Sequence, residues 1–251
     1  PKLISIECNY NLSMKLLKHT PSPLHIWEDF IQLVFPSYCI ACYDGLLKNE
    51  KYICTSCRHT MPITNYHLFP DNSLAQRFWG RVNITHAFAY LKYIKSGKVQ
   101  QIIHSLKYGG LEEIGLLMGN WYGHELKTNQ FENSFDLILP IPLHPNRKKQ
   151  RGYNQSDSFA QGLSETLNVP WEDEVLIRQL SSNTQTKKKR LDRWENVKDI
   201  FALAQPEQVA GKRILLVDDV ITTGATIEAC AQKIVEAGCK SISVGAIATA
   251  Y

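Results

Sequence analysis

ILLVDDVITTGAT, residues 214–226, is the stretch on which the fold of this chain turns. Ile214 to Val217 are apolar without a break, as in a strand buried on both faces. They run into two adjacent carboxylates, Asp218 and Asp219. Val220, Ile221, Thr222, Thr223, Gly224, Ala225 and Thr226 then lead into a helix, because Ile227, Cys230, Ala231, Ile234 and Val235 recur on one helical face. Small residues let the backbone approach a ligand, and the N–H groups and dipole of a helix start favour an anion. The threonine hydroxyls add donors. This pattern predicts a phosphate cradle at the C-terminal end of a parallel strand, where open α/β sheets bind ligands. Carboxylates touching a phosphate would repel it, but one sugar ring away they can accept hydrogen bonds from two hydroxyls. The combination therefore suits a ribose phosphate better than a bare phosphate. It is also too dense for a threonine-capped helix start beside an incidental acidic pair. A Walker loop and a G-x-G-x-x-G fingerprint are both absent.

Working outward, Gly238 is placed to cap the helix, and residues 241–250 make a further strand. Upstream, DLILPIPL (136–143) is another nearly continuous apolar run, followed by a basic loop, 144–155, and a helix lined by Phe159, Leu163 and Leu167. Residues 181–198 are polar, basic and weakly periodic, and are expected as a long mobile loop. Earlier still, residues 87–94 alternate like a strand. Val99, Ile102, Ile103 and Leu106 mark a helix broken at Lys107-Tyr108-Gly109-Gly110, and Ile114, Leu117, Met118 and Trp121 mark the next. Strands alternating with helices predict a parallel sheet with helices on both sides.

Cys39-x2-Cys42 and Cys54-x2-Cys57 are two knuckles that can present four thiolates to one tetrahedral zinc. So short a segment cannot bury a core, so the metal would supply its folding energy. Cys230 lies on an apolar helix face and is expected as plain core. Residues 61–73 are expected as a linker. Before the knuckles, Ser22-Pro23 reads as a helix start, and Trp27, Phe30, Ile31 and Val34 share one face. The expected organisation is an N-terminal segment with an amphipathic helix (1–35), a four-cysteine zinc-binding module with linker (36–75), and the α/β domain (76–251).

With 251 residues, 44% hydrophobic, the chain has room for one full domain and a small module. A net charge of +4 admits an anionic ligand without requiring nucleic acid. The basic residues cluster at Arg147-Lys148-Lys149-Gln150-Arg151 and at Lys187-Lys188-Lys189-Arg190, both in segments read as loops. Taken alone, such runs are solvated faces. No stretch approaches the ~18 apolar residues of a membrane span, and no secretory h-region precedes residue 23. A cytoplasmic setting is expected, in which seven cysteines stay reduced.

The cradle resembles the phosphoribosyl pyrophosphate motif of type I phosphoribosyltransferases. LPIPLHPNRKKQRGYNQ (139–155) and LKYGG (106–110) resemble the ComF family of competence-associated, phosphoribosyltransferase-like proteins. So do the paired knuckles and the spaced set Arg178, Gln185, Arg193, Asn196-Val197 and Phe201, with a departure at Lys188. The resemblance covers residues 36–251. It implies a type I α/β fold binding phosphoribosyl pyrophosphate with Mg2+. The Asp218–Asp219 pair would hold the ribose, residues 220–226 the phosphate, and Lys107 and Tyr108 would line the ligand. The loop 142–151 would meet the pyrophosphate with its backbone N–H groups, Arg147 and Arg151. Residues 181–198, with Arg178, Gln185, Arg193 and Asn196, would form a hood. The acceptor nucleophile is not identified, and no acid or histidine is placed as an evident base for it. The implied role is in DNA uptake, as a phosphoribosyltransferase. The alternatives are a non-catalytic factor binding single-stranded DNA or competence proteins, and a phosphoribosyltransferase of nucleotide metabolism.

Overall fold

The computed structural model describes residues 35–179 and 200–250. From Tyr38 onward the chain is one compact unit. The helix expected around Trp27–Val34 lies outside the described residues, as do Gln185, Arg193, Asn196 and the basic run 187–190.

Four strands form a fully parallel sheet: β1 (Leu91–Tyr93), β2 (Leu137–Pro140), β5 (Arg213–Ile221) and β6 (Ser241–Ala250), in the order β1-β6-β5-β2. The strand signal at 87–94 condenses into a shorter ladder than expected, with Phe88 and Tyr90 still donating to Val244 and Ala246. β5 carries the 214–217 run, and its side chains divide between two apolar clusters. Leu215 and Val217 join one, Ile214 and Leu216 the other. This is the period-two consequence of burial on both faces. At the sheet's lower edge Asp136 and Arg213 set the β2–β5 register through bonds of 2.6 Å (Nη2 to Oδ1) and 3.0 Å (Nε to Oδ2). The guanidinium holds the Asp136 carboxyl well below the usual range, at about 2.

Helices α2 (Lys98–Tyr108), α3 (Glu113–Thr128) and α5 (Gln155–Leu167) cover one face. α6 (Ala225–Glu236) covers the other through Ile227, Cys230, Ala231 and Ile234. Val235, expected on that stripe, is 47% exposed, because it falls at the stripe's margin in the last turn. Gly238 follows the helix with φ +77° and donates to the Val235 carbonyl, as expected of a cap.

Three further segments depart from the sequence reading. The basic loop after β2 coils into a short helix, α4 (Pro145–Arg151), with proline at its first turn and Gly152 left-handed at its end. Residues 61–73 are not a loose linker, since Met61, Thr64, His67 and Asn72 are buried. A two-stranded antiparallel pair, β3 (Leu176–Arg178) with β4 (Phe201–Leu203), stands apart from the main sheet.

Helices α3 and α5 meet almost backbone to backbone. Gly115, Gly119 and Gly123 recur every four residues along α3 and face Ser158, Gly162 and Thr166 of α5. A Cβ on Gly119 would stand 2.8 Å from the Gly162 Cα, and one on Gly123 would stand 2.7 Å from the Thr166 Cβ. Backbone cannot swing away as a side-chain tip can. Gly119→Ala should therefore destabilise the fold by at least ~1–3 kcal/mol, as overpacking does. Urea unfolding of Gly119→Ala beside the exposed control Glu113→Ala checks this, with only the former shifting the midpoint.

Candidate functional site

The acidic pair lies near the C-terminal end of β5, two residues before Ile221, and residues 222–224 then lead into α6. Gly224, at the junction, takes φ +81°, and a Cβ there would also stand 2.9 Å from the Phe78 ring. Thr223 Oγ1 accepts from the Ala225 N–H at 3.4 Å. The first N–H groups of a helix have no partner within it, so this loop presents donors to a small hollow lined by Asp218 and residues 220–227. Asp219 is buried and Asp218 half-buried. Asp218 Oδ1 accepts from Ser156 Oγ (3.1 Å), at the start of α5, and from the Asp219 N–H (2.8 Å). Burial first, and then the charge of Asp219, push the Asp218 carboxyl up to about 7, against the Asp219 N–H, Lys107 and Ser156. Lys107, in the last turn of α2, places Nζ 2.8 Å from Asp219 Oδ1. Lys107 and Asp219, each expected at the ligand site, are thus brought together from two elements far apart in the sequence.

Beside the cradle lies an open pocket of about 370 Å³. Tyr93, His104, Lys107, Tyr108 and Ala250 line it, and it shares Val220 and Thr222 with the hollow after β5. Tyr108 is 64% exposed. Its ring is 5.0 Å from that of His104, and the Arg151 guanidinium sits 5.1 Å over it. Arg151 also donates to Gln155 Oε1 at 2.6 Å, so its fork is fixed at the mouth of the site.

Coiling of 145–151 into α4 corrects one expectation. The N–H groups of Arg147 and Lys148 both bond to the His144 carbonyl, so those two are not available to a pyrophosphate. The Arg147 side chain remains exposed and close enough to Arg178 to weigh on it. Arg178 stacks over Phe201 at 5.3 Å, and its buried Nε has no partner among the described residues. Burial first, then the charge of Arg147, push its pKa down from the ordinary arginine value.

The four knuckle sulfurs all lie within 4.8 Å of one another, and no disulfide joins them. Cys42 and Cys54 Sγ are 3.7 Å apart, close to the ~3.8 Å that tetrahedral metal–sulfur bonds of ~2.3 Å require. Backbone N–H groups of Cys54 and Cys57 point at the Cys39 and Cys54 sulfurs (3.3 and 3.4 Å), as suits thiolate acceptors. Cys54 caps α1 (Thr55–His59). The donor set fits one metal ion. Cys39, Cys54 and Cys57 also belong to the apolar cluster that includes Tyr90, Leu91 and Ile102, so the knuckles are built onto the α/β core.

Residues 154–250 match the family described as phosphoribosyl transferase domain. Competence protein F of Haemophilus influenzae is 36% identical over 128 residues, which span 51% of this chain and 53% of that protein. Competence protein ComFC of Bacillus subtilis is 27% identical over 217 residues, 79% of this chain and 84% of that protein. The DNA utilization protein YhgH of Escherichia coli K12 is 30% identical over 203 residues, 78% of this chain and 84% of that protein. The chain belongs to the ComF family. In this ComF protein the resemblance seen in the motifs extends over most of the sequence, and the parallel sheet flanked by helices is the fold it implies.

Sequence reasoning missed Ser156, which follows the RGYNQ motif and reaches Asp218 only because α5 starts beside the end of β5. It also missed Arg77 and Phe78, which touch the cradle from a turn about 145 residues earlier in the sequence.

Asp218 gives this ComF site a pH signature. Its folded value of about 7 exceeds the ~3.9 of an unfolded aspartate. Its contribution to stability is therefore full below pH ~4 and is lost as pH rises towards 7. Asp218→Asn should remove that loss. In urea titrations of ligand-free protein, the stability of the variant relative to the parent should rise from pH 5 to pH 8.

Proposed function

We propose that this ComF-family protein binds phosphoribosyl pyrophosphate, or a related ribose 5-phosphate ligand, with Mg2+. The observation that carries this is the Asp218–Asp219 pair at the end of β5, leading without a break into the helix-start cradle of residues 222–226. The 5-phosphate would sit on the backbone donors around Gly224. The ribose hydroxyls would meet the two carboxylates, taking the place that Lys107 holds on Asp219. Bound magnesium would supply charge neutralisation for the pyrophosphate, and the acidic pair is the donor set facing it. Arg147, whose charge bears on the Arg178 guanidinium, favours an anionic occupant on the α4 side. The open pocket beside Tyr108 favours an acceptor or leaving group on the α2 side.

The chemistry proposed is pentosyl transfer. The bond from C1 to pyrophosphate breaks, the electron pair leaves with pyrophosphate, and a nucleophile takes C1. Preorganised donors around the departing charge would contribute most of the acceleration. The relatives' names, competence protein and DNA utilization protein, support a role in DNA uptake, for which a cytoplasmic setting is proposed. Among the described residues no helix is long and apolar enough to cross a membrane. Asp218→Asn with Asp219→Asn should reduce affinity for magnesium phosphoribosyl pyrophosphate at least ~100-fold, the scale of two lost hydrogen bonds to charged groups. Calorimetry with a circular dichroism check of the fold measures this, and unchanged affinity would remove ribose recognition from the site.

The knuckles are proposed to hold one structural Zn2+. Freshly reduced protein should contain about one zinc per chain. Cys57→Ser should lose it and melt at lower temperature, because Cys57 is buried in the core cluster. Elemental analysis finding no zinc in the parent protein would overturn the assignment.

A second reading, single-stranded DNA or competence-protein binding without catalysis, is favoured by α4. That helix leaves Arg147, Lys148 and Lys149 exposed beside the Arg151–Tyr108–His104 stack, a basic and aromatic surface of the kind single strands use. A salt series distinguishes it, since each phosphate neutralised contributes a slope of about −0.7 to log K against log salt.

A further inference from the structure

The cradle is braced from outside. Arg77 lies in a 3-10 turn, Ala75–Phe78, that precedes the sheet. Its Nη1 donates to the Thr222 carbonyl, and its Nη2 donates to the Ala250 carbonyl at 2.7 Å. One guanidinium thus ties the loop after β5 to the end of β6. The neighbouring Phe78, 1% exposed, places its ring against Gly224. The turn is itself fixed. Asn72 Oδ1 accepts from the N–H groups of Leu74 and Ala75, both at 3.0 Å, and its Nδ2 donates to the Ala87 carbonyl at 2.9 Å.

We infer that Arg77 is a positioning residue of the phosphate cradle, which holds the Thr222 carbonyl out of the hollow so that the loop offers an anion only donors. A cradle made of backbone alternates N–H with C=O, and a carbonyl turned inward would repel phosphate at the distance where an N–H attracts it. Thr222 is the loop residue whose carbonyl is claimed by a cation. The partner is rigidly mounted and planar, so a single side chain can satisfy two carbonyls at once. The fully buried Phe78 limits the loop from below at the one position, Gly224, where the backbone is left-handed. The inference rests on reading residues 222–226 as a phosphate site.

The test compares Arg77→Met, Arg77→Lys and the distant charge control Lys95→Met in the full chain. Two quantities are measured: amide hydrogen exchange of residues 220–227 in ligand-free protein, and affinity for ribose 5-phosphate with magnesium. Arg77→Met should accelerate exchange in 220–227 but not in β2 or α3. It should also weaken ribose 5-phosphate about tenfold, the scale of a hydrogen bond from a charged donor. Arg77→Lys, which keeps the charge but reaches one carbonyl, should fall between. Lys95→Met should match the parent in both. Unchanged exchange in 220–227, or unchanged affinity in a parent that binds, overturns the inference. If Arg77→Met does not fold, Arg77→Lys decides by the same criteria. If the parent binds neither ribose 5-phosphate nor phosphoribosyl pyrophosphate, the proposed function fails, and the exchange measurement alone decides whether Arg77 positions the loop.

Discussion

Strand β5 cannot move, and the site depends on that. It is hydrogen-bonded to β2 on one edge and β6 on the other, and apolar clusters cover both its faces. Two carboxylates side by side in a half-buried place repel each other, and an isolated strand end would relieve that by turning one into water. Here the backbone beneath them is fixed, so the repulsion is carried by local partners instead. Ser156 and an N–H serve Asp218, and Lys107 serves Asp219. Everything else in the site is arranged around this strand end. α5 delivers Ser156, α2 delivers Lys107, and the turn before the sheet delivers Arg77.

The parts of the fold legible in the sequence were those whose signal is local. The apolar runs at 137–140 and 214–217, the four-residue stripe of α2 and the cap at Gly238 each declare themselves within a few residues, because period and burial are properties of one element. The cradle and acidic pair were legible for the same reason, since strand, acids, small residues and helix follow one another without interruption. The cysteine spacing was legible because a tetrahedral sulfur set constrains it.

What was not legible depends on contacts between distant segments. α4 read as a loop because the six polar residues after Pro145 show no apolar period, and its helix rests on a proline start and a glycine stop rather than on a buried face. The glycines of α3 looked like poor helix formers, and only the approach of α5 explains them. Residues 61–73 looked like a linker because the burial of Asn72 and His67 depends on segments that come later, Ala87 for the one and Tyr122 and Asn129 for the other. Arg77 carried no signal at all. Its partners are main-chain carbonyls, which no side-chain pattern records.

The Lys107–Asp219 contact has a consequence for selectivity. The carboxylate pair is already neutralised in part by the chain's own ammonium group, so a ligand of the proposed kind would meet it by exchange rather than by addition. A lone anion gains nothing from that exchange, because it would have to face Asp219 once the lysine withdrew. A molecule that brings hydroxyl donors to the carboxylates and leaves the freed ammonium facing its own negative charge gains on both sides of the swap. On the proposed reading, a ligand carrying both hydroxyls and negative charge would be preferred at the carboxylates over an inorganic anion, which could occupy only the cradle.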